Sequence, residues 1–339
     1  MDLNTAWFII VCTLFTGYAV LDGFDLGAGP LLLLTKGDRD RRIILNAIGP
    51  IWNGNEVWLV TGGGALFAAF PNAYATIFSG FYDAFMPLLA ALIFRAGAIE
   101  FRGQHPGPRW RAMWDFLFAA SSVLSALLLG AAVGNLAWGI PLDANHEFIG
   151  TFFTLLRPYP LCVGLTTVAL FVMHANLYLI MKSPGELEQQ LIRWTRITVP
   201  LYIACFIVMN TVTILTCPHI RAAIAARPVL LSCAFIASIA VTLNILRQIR
   251  KGNEGWAFIS SALSIITLMF LFGAAIYPCI VISTPDIANS LDIYNASSTN
   301  KSLDFMLVVA AIGVPLVLTY TVAIYRVFRG KVVLNDHSY

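Results

Sequence analysis

Residues 49–71 read GPIWNGNEVWLVTGGGALFAAFP, and this stretch decides how the rest of the chain is interpreted. It is long enough to cross a bilayer, because a membrane-spanning helix needs about 20 residues. Yet Asn53, Asn55 and Glu56 lie in its first turns. An ionisable residue at the centre of a membrane helix costs about 2.5–3.5 kcal/mol, so it is tolerated where it faces protein or water. We therefore expect a membrane helix that lines a polar site.

The composition of the whole chain agrees with a membrane protein. Hydrophobic residues make up 58% of the sequence and charged residues only 12%, whereas soluble domains carry about 25% charged residues. We predict an all-α polytopic protein in which residues 1–339 form a single integral membrane domain. Nine predicted spans begin near Trp7, Ile48, Ala75, Met113, Pro158, Thr195, Pro228, Trp256 and Asp304.

The basic residues predict the orientation. Sixteen of the 21 lysine and arginine residues fall in alternate loops and the C-terminal tail, and the opposite loops hold only Arg157, Arg221, Arg227 and Lys301. Because cytoplasmic loops are enriched in lysine and arginine, we expect the N-terminus outside and the C-terminus in the cytoplasm. This topology accounts for the basic residues without a nucleic-acid partner. The polar loop 283–303 is then an outer segment, which we expect to cap the helix ends.

The charged residues inside the predicted spans are concentrated in the first four helices, and the last five are almost entirely apolar. Asp22 and Asp25 lie three residues apart in the first span, a spacing that places them on one helix face. With the predicted topology, all these positions except Asp83 converge on the cytoplasmic third of the membrane. The candidate site residues are Asp22, Asp25, Asn53, Glu56, Arg95, Glu100 and Asp115.

A row of acids beside one arginine is the arrangement that a proton path from the cytoplasm requires. The competing interpretation is structural, in that Arg95 neutralises the acids and locks four helices together. Asp22 could also cap or break a helix beside its glycine neighbours, and Asp115 is interpreted as structural because it lies near Arg111. We expect Gly23, Gly27, Gly29 and Gly62–Gly64 to allow close helix packing.

The histidines and cysteines give no indication of a haem or metal site. His174 is the only histidine within a predicted span, and a haem held from both sides needs two axial ligands at matched depth. We therefore predict no haem on this chain and interpret His174 as a core residue. The six cysteines have no spacing typical of a metal site.

Several long motifs resemble one known family. GYAVLDGFDLGAG, RRIILNAIGPIWNGNEVWLVTGGGALFAAFP, SGFYDAF, IFRAGAIEFR and MWDF occur in the order found in subunit II of the cytochrome bd quinol oxidases. The strong match covers residues 15–140, and nine spans fit the whole length.

The resemblance implies a bacterial inner-membrane subunit of a terminal oxidase that oxidises quinol and reduces oxygen to water. It implies two four-helix bundles with one peripheral helix, haems b and d in the partner subunit I, a possible structural quinone, surrounding lipid, and small single-span accessory subunits. Carried over by motif, the proton path includes Asp25, Arg95, Glu100 and the polar start of the second span.

The chain departs from the family pattern at Asn53, where many relatives have an acid. Glu56 lies three residues further along the same helix face, displaced by about 4.5 Å, and we expect it to serve as the relocated acid. Asp83 is a second departure.

Two other functions compete with a proton-conducting oxidase subunit. A proton-coupled secondary transporter should show broken helices at corresponding positions in two repeats, and here the polar residues lie in one half only. A purely structural scaffold for a haem-bearing partner differs only in whether the acids conduct protons.

Overall fold

The computed structural model of the protein describes residues 2–334 and is almost entirely helical. Within these residues, eight helical segments are long and apolar enough to cross a membrane. The first combines α1 (Leu3–Leu21) and α2 (Gly23–Leu34), which continue one another through Asp22. The helices are α1 (Leu3–Leu21), α2 (Gly23–Leu34), α3 (Asp38–Ile48), α4 (Trp52–Ala69), α5 (Pro71–Gly80), α6 (Tyr82–Phe101), α7 (Pro108–Trp138), α8 (Phe152–Leu155), α9 (Pro158–Lys182), α10 (Gly185–Thr216), α11 (Pro218–Ala226), α12 (Pro228–Arg250), α13 (Glu254–Ile276) and α14 (Asn300–Val327), with 3₁₀ turns at Arg102–Gln104 and Ile287–Asn289.

Eight of the nine predicted spans correspond to these segments, and the ninth corresponds to α4. The 18 residues of α4 form a helix but include polar residues, and α4 is not among the eight. The exact number of spans therefore stays a prediction.

The predicted start of the third span near Ala75 is wrong, because Ala75 belongs to the short helix α5. Pro71 begins this helix, and the chain turns at Phe81 before α6 starts at Tyr82. The sixth span begins at Gly185, earlier than the predicted Thr195, because its charged first turns are also helical.

The helices that form the N-terminal spans pack against one another and against later helices. α1 packs against α4, and α2 packs against both α7 and α9, which also pack on each other. α12 pairs with α13, and α9 contacts α10 and α13. In α14, Leu303 is the buried residue, so this helix lies at the periphery of the described chain. The grouping into two four-helix bundles stays a prediction.

Close approach between α2 and α9 depends on Gly27. A Cβ atom there would lie 1.9 Å from the carbonyl oxygen of Phe171 and 2.8 Å from Cβ of Ala175. The expected packing role is therefore confirmed at Gly27. At Gly63 and Gly64 an added Cβ would meet no atom of the described residues within 4 Å, so a packing role for these two glycines stays a prediction.

The polar loop after α13 forms an ordered cap, defined here as residues 277–299. Its strands β1 (Cys279–Val281) and β2 (Leu291–Asp292) pair antiparallel. The cap is tied to helix ends by Asn4, whose Nδ2 donates to the carbonyl of Ile293 at 2.8 Å, and by the amide of Ser298, which donates to the carbonyl of Ala69 at 2.9 Å. The expectation that this loop caps the helix ends is confirmed.

The opposite end of the molecule, called here the basic end, gathers lysines and arginines from the alternate loops. Tyr178 in α9 donates to the carbonyl of Ala47 at the end of α3, which brings the two loop regions together. The C-terminal segment folds back here, where the amide of Val332 donates to the carbonyl of Lys182 at 2.8 Å and Lys331 pairs with Glu188. The side of the membrane on which each end lies stays a prediction.

Candidate functional site

Four ionisable residues meet inside the first helices, and we call them the acid–arginine cluster: Asp22, Asp25, Glu56 and Arg95. Asp22 stands at the junction of α1 and α2, and Asp25 lies in the first turn of α2. Glu56 is in the early turns of α4, and Arg95 is near the end of α6. Because α1 and α4 pack together, residues far apart in sequence come into one buried group.

Arg95 holds the cluster together. Its Nη1 lies 2.8 Å from Oδ1 of Asp22, and both side chains are completely buried. Its Nη2 lies 3.5 Å from Oε2 of Glu56, whose side chain is 21% exposed. Glu56 is therefore the member of the cluster that reaches the protein surface. Asp22 makes no capping hydrogen bond with its side chain, so it serves the ion pair and not a helix cap.

Asp25 is held by a second set of contacts. Nδ2 of Asn55 donates to Oδ2 of Asp25 at 2.8 Å and to the carbonyl of Leu21 at 3.0 Å. The hydroxyl of Tyr325 in α14 donates to Oδ1 of Asn55 at 3.1 Å. The peripheral last helix is thus connected to the interior acid through one buried amide.

Several polar atoms around the cluster have no hydrogen-bond partner in the described chain. They comprise potential donors and acceptors together: Tyr18 Oη, Trp58 Nε1, Arg95 Nε, Asp22 Oδ2 and Asp25 Oδ1. Buried polar groups are normally satisfied, and a site with donors and acceptors at close range suits water or protons.

Asp115 belongs to a different group at the basic end. Its carboxylate lies 2.5 Å from Nε of Arg102 and 2.8 Å from Nη1 of Arg41. Asp38 pairs with both Arg102 and Arg111, at 2.8 and 2.7 Å. These five residues join α3, the 3₁₀ turn and α7, which supports the structural interpretation of Asp115.

The described residues contain no group of three or more histidine, cysteine or acidic side chains that could hold a metal ion. His174 is buried in α9, with Nδ1 2.6 Å from Oγ of Ser261 and Nε2 3.0 Å from the carbonyl of Val20. Both ring nitrogens are engaged, so His174 does not fit a haem ligand, and its interpretation as a core residue is confirmed. His337 lies outside the described residues.

Comparison with known proteins connects this geometry to a family. The model of the family described as cytochrome bd terminal oxidase subunit II matches residues 3–328. The chain belongs to this family. Subunit 2 of the cytochrome bd-I ubiquinol oxidase of Escherichia coli (strain K12) is 32% identical over 98% of this chain and 96% of its own length. Subunit 2 of the cytochrome bd ubiquinol oxidase of Bacillus subtilis (strain 168) is 31% identical over 98% and 97%.

A solved structure confirms the fold of this bd oxidase subunit. The bd oxidase from Geobacillus thermodenitrificans contains a chain that matches with a TM-score of 0.81 at 16% identity, over 97% of this chain and 99% of that chain. Membership implies that the chain is part of a bd oxidase complex with a subunit I partner. It also implies, together with the apolar helices, a multi-pass protein of the bacterial inner membrane.

The structure brings together four of the seven residues that the sequence singled out in this bd subunit. Asn53 and Glu100 are exposed, and the ion pairs described above for the cluster are formed by other residues. Asn53 and Asn55 are two residues apart, so on a helix they point about 200° apart, and Asn55 is the one that faces inward. Asp83 is exposed beside Phe148 and Phe152, away from the cluster.

Two residues of the site were missed as members. Asn55 was noticed only as a polar residue near Glu56, and Tyr325 lies near the end of a membrane helix, where tyrosine is common at lipid interfaces. The polar run W-N-G-N-E gives a local signal for Asn55. Nothing near Tyr325 indicates a contact 270 residues away.

Proposed function

We propose that this subunit carries no haem, supports the haem-bearing subunit I, and conducts cytoplasmic protons through the acid–arginine cluster. The observation that carries the proposal is a group of three carboxyl groups and one arginine, in which Asp22, Asp25 and Arg95 are buried and Glu56 reaches the surface. As the family's activity is quinol oxidation with reduction of oxygen to water, protons must be supplied to the oxygen site of the partner. In this proposal the haems b and d belong to subunit I, and a structural quinone, lipid and small single-span subunits are further expected companions.

Each member of the proposed path has a role that its contacts support. Glu56 accepts a proton at the surface, where the exposed Asn53 lies one turn nearer the basic end. Arg95 stays charged and keeps the carboxyl groups of Asp22 and Glu56 in place. Asp22 and Asp25 receive the proton inside the helices, with Asn55 fixing the orientation of Asp25.

Glu56 is proposed to serve as the relocated acid of this subunit. It lies 3.5 Å from Arg95, while Asn53 cannot titrate. Both side chains lie on the outward edge of α4, so an acid at position 53 would stand at the same opening.

The experiment that tests the proposal uses the assembled oxidase and two variants. Glu56→Gln should slow quinol-driven oxygen reduction while assembly and haem content stay intact. Adding Asn53→Asp to it should restore part of the activity, because it returns an acid to the path. If Glu56→Gln turns over at the wild-type rate across the pH range, the subunit is a structural scaffold and protons enter elsewhere.

A further inference from the structure

Asp22 and Asp25 each keep one carboxyl oxygen without a donor. Oδ1 of Asp22 is held by Arg95 at 2.8 Å, and Oδ2 of Asp25 is held by Asn55 at 2.8 Å. Among the residues that the structure describes, the remaining atoms, Oδ2 of Asp22 and Oδ1 of Asp25, have no hydrogen-bond partner, and both are buried. The two residues are three apart in the helical segment that runs through Asp22, so their side chains are neighbours on one face. Two ionised carboxylates only accept hydrogen bonds, so they cannot satisfy each other.

The net charge of the acid–arginine cluster also favours a proton on this pair of carboxyl groups. The acid–arginine cluster has three carboxyl groups and one guanidinium, so its fully ionised form carries two uncompensated negative charges among apolar helices. The other titratable groups that face it are Tyr18 from α1, Tyr178 and His174 from α9, and Tyr325 from α14. The tyrosines add no positive charge. His174 contacts Oγ of Ser261 and the carbonyl of Val20, and these hydrogen bonds do not involve the carboxyl groups of the cluster.

We propose that Asp22 and Asp25 share one proton in the resting protein, held between Oδ2 of Asp22 and Oδ1 of Asp25. One proton turns one carboxylate into a donor, which gives both free oxygens a partner. It also removes one of the two uncompensated charges, as expected when two carboxyl groups share a site. If the cluster conducts protons as proposed above, this pair is its storage site, filled before turnover starts.

Infrared spectroscopy of the resting, intact oxidase tests the shared proton. The wild type should show the C=O stretching band of a protonated carboxyl group, shifted when the protein is moved into D₂O. Asp25→Asn should remove the band, because it takes away one of the two carboxyl groups that share the proton. Glu56→Gln, the matched control in the same cluster, should keep it. Labelling the wild type with ¹³C-aspartate should shift the same band without any substitution, so the test does not depend on assembly of a variant.

Three results would overturn the inference. The band could be the same in Asp25→Asn as in the wild type, it could disappear in Glu56→Gln instead, or it could appear only after sodium is removed, which would mean that a cation occupies the pair. The spectra are recorded without turnover, so their result does not depend on whether the cluster conducts protons. A wild-type turnover rate in Asp25→Asn with the band lost would retain the shared proton and reject conduction through Asp25.

Discussion

Arg95→Gln should be the most damaging single substitution in the acid–arginine cluster. Arg95 and Asp22 are both fully buried and lie 2.8 Å apart, so the substitution leaves Asp22 as a buried carboxylate without its cation. Breaking a buried ion pair in this way typically costs about 3–5 kcal/mol. Because Arg95 also contacts Glu56, both the stability and the turnover of the oxidase should fall.

The chain offers a matched control for this experiment. Arg111 is 32% exposed and pairs with Asp38, which is 42% exposed, at 2.7 Å. An exposed pair of this kind is worth about 0–1 kcal/mol, so Arg111→Gln should leave thermal stability almost unchanged. The double variant Arg95→Gln with Asp22→Asn should recover assembly, since no buried charge is left alone, but not turnover.

Haem content, size-exclusion profile and thermal unfolding of the purified oxidase measure the outcome. If Arg95→Gln is as stable as Arg111→Gln, the buried pair does not hold the helices together. If it assembles fully and also turns over at the wild-type rate, Arg95 has no place in the proton path.

Three further predictions concern packing, the last helix and cofactors. Gly27→Ala should destabilise the complex by about 1–3 kcal/mol, because its Cβ would overlap the carbonyl of Phe171. Gly64→Ala, the control, should be neutral or slightly stabilising. Equal melting temperatures of the two variants would contradict this packing. Tyr325→Phe removes one hydrogen bond to Asn55 and should cost about 0.5–1.5 kcal/mol in thermal unfolding with haem content unchanged; a melting curve identical to the wild type would show that the contact does not anchor α14. The subunit expressed alone should show no stoichiometric haem signal in a reduced-minus-oxidised spectrum, and such a signal would refute the assignment of the haems to subunit I.

The sequence predicted the fold class well because membrane helices leave a strong compositional signal. The apolar runs that begin at Pro158 and Pro228 were placed at the correct residue. The short helices α3, α5 and α11 were not predicted, since they are too short or too polar to resemble spans, and α5 displaced the expected start of the third span.

The ionisable residues of the candidate site could be predicted from the energetic cost of placing such residues in a membrane helix. An ionisable residue is so unfavourable in a membrane helix that Asp22, Asp25, Glu56 and Arg95 could be selected on that ground alone. Their pairing partners could not be selected in the same way. Asp115 turned out to contact Arg102 and Arg41 instead of its helical neighbour Arg111, because the loops fold over the basic end.

The contact between Tyr325 and Asn55 is the part of the site that the sequence indicates least. A tyrosine near the end of a membrane helix is common at lipid interfaces, and its local sequence gives no other indication. Only the three-dimensional arrangement of α14 beside α4 brings its hydroxyl to the site.

Proton uptake from the medium during a single turnover tests the central claim most directly. A pH-indicator dye would report uptake after fully reduced oxidase reacts with oxygen, in the wild type, in Glu56→Gln and in Glu188→Gln, which alters a surface pair at the basic end outside the cluster. We predict that uptake is slowed by about tenfold or more in Glu56→Gln and unchanged in Glu188→Gln. Wild-type uptake kinetics in a fully assembled Glu56→Gln oxidase would contradict the claim that this subunit admits protons through its acid–arginine cluster.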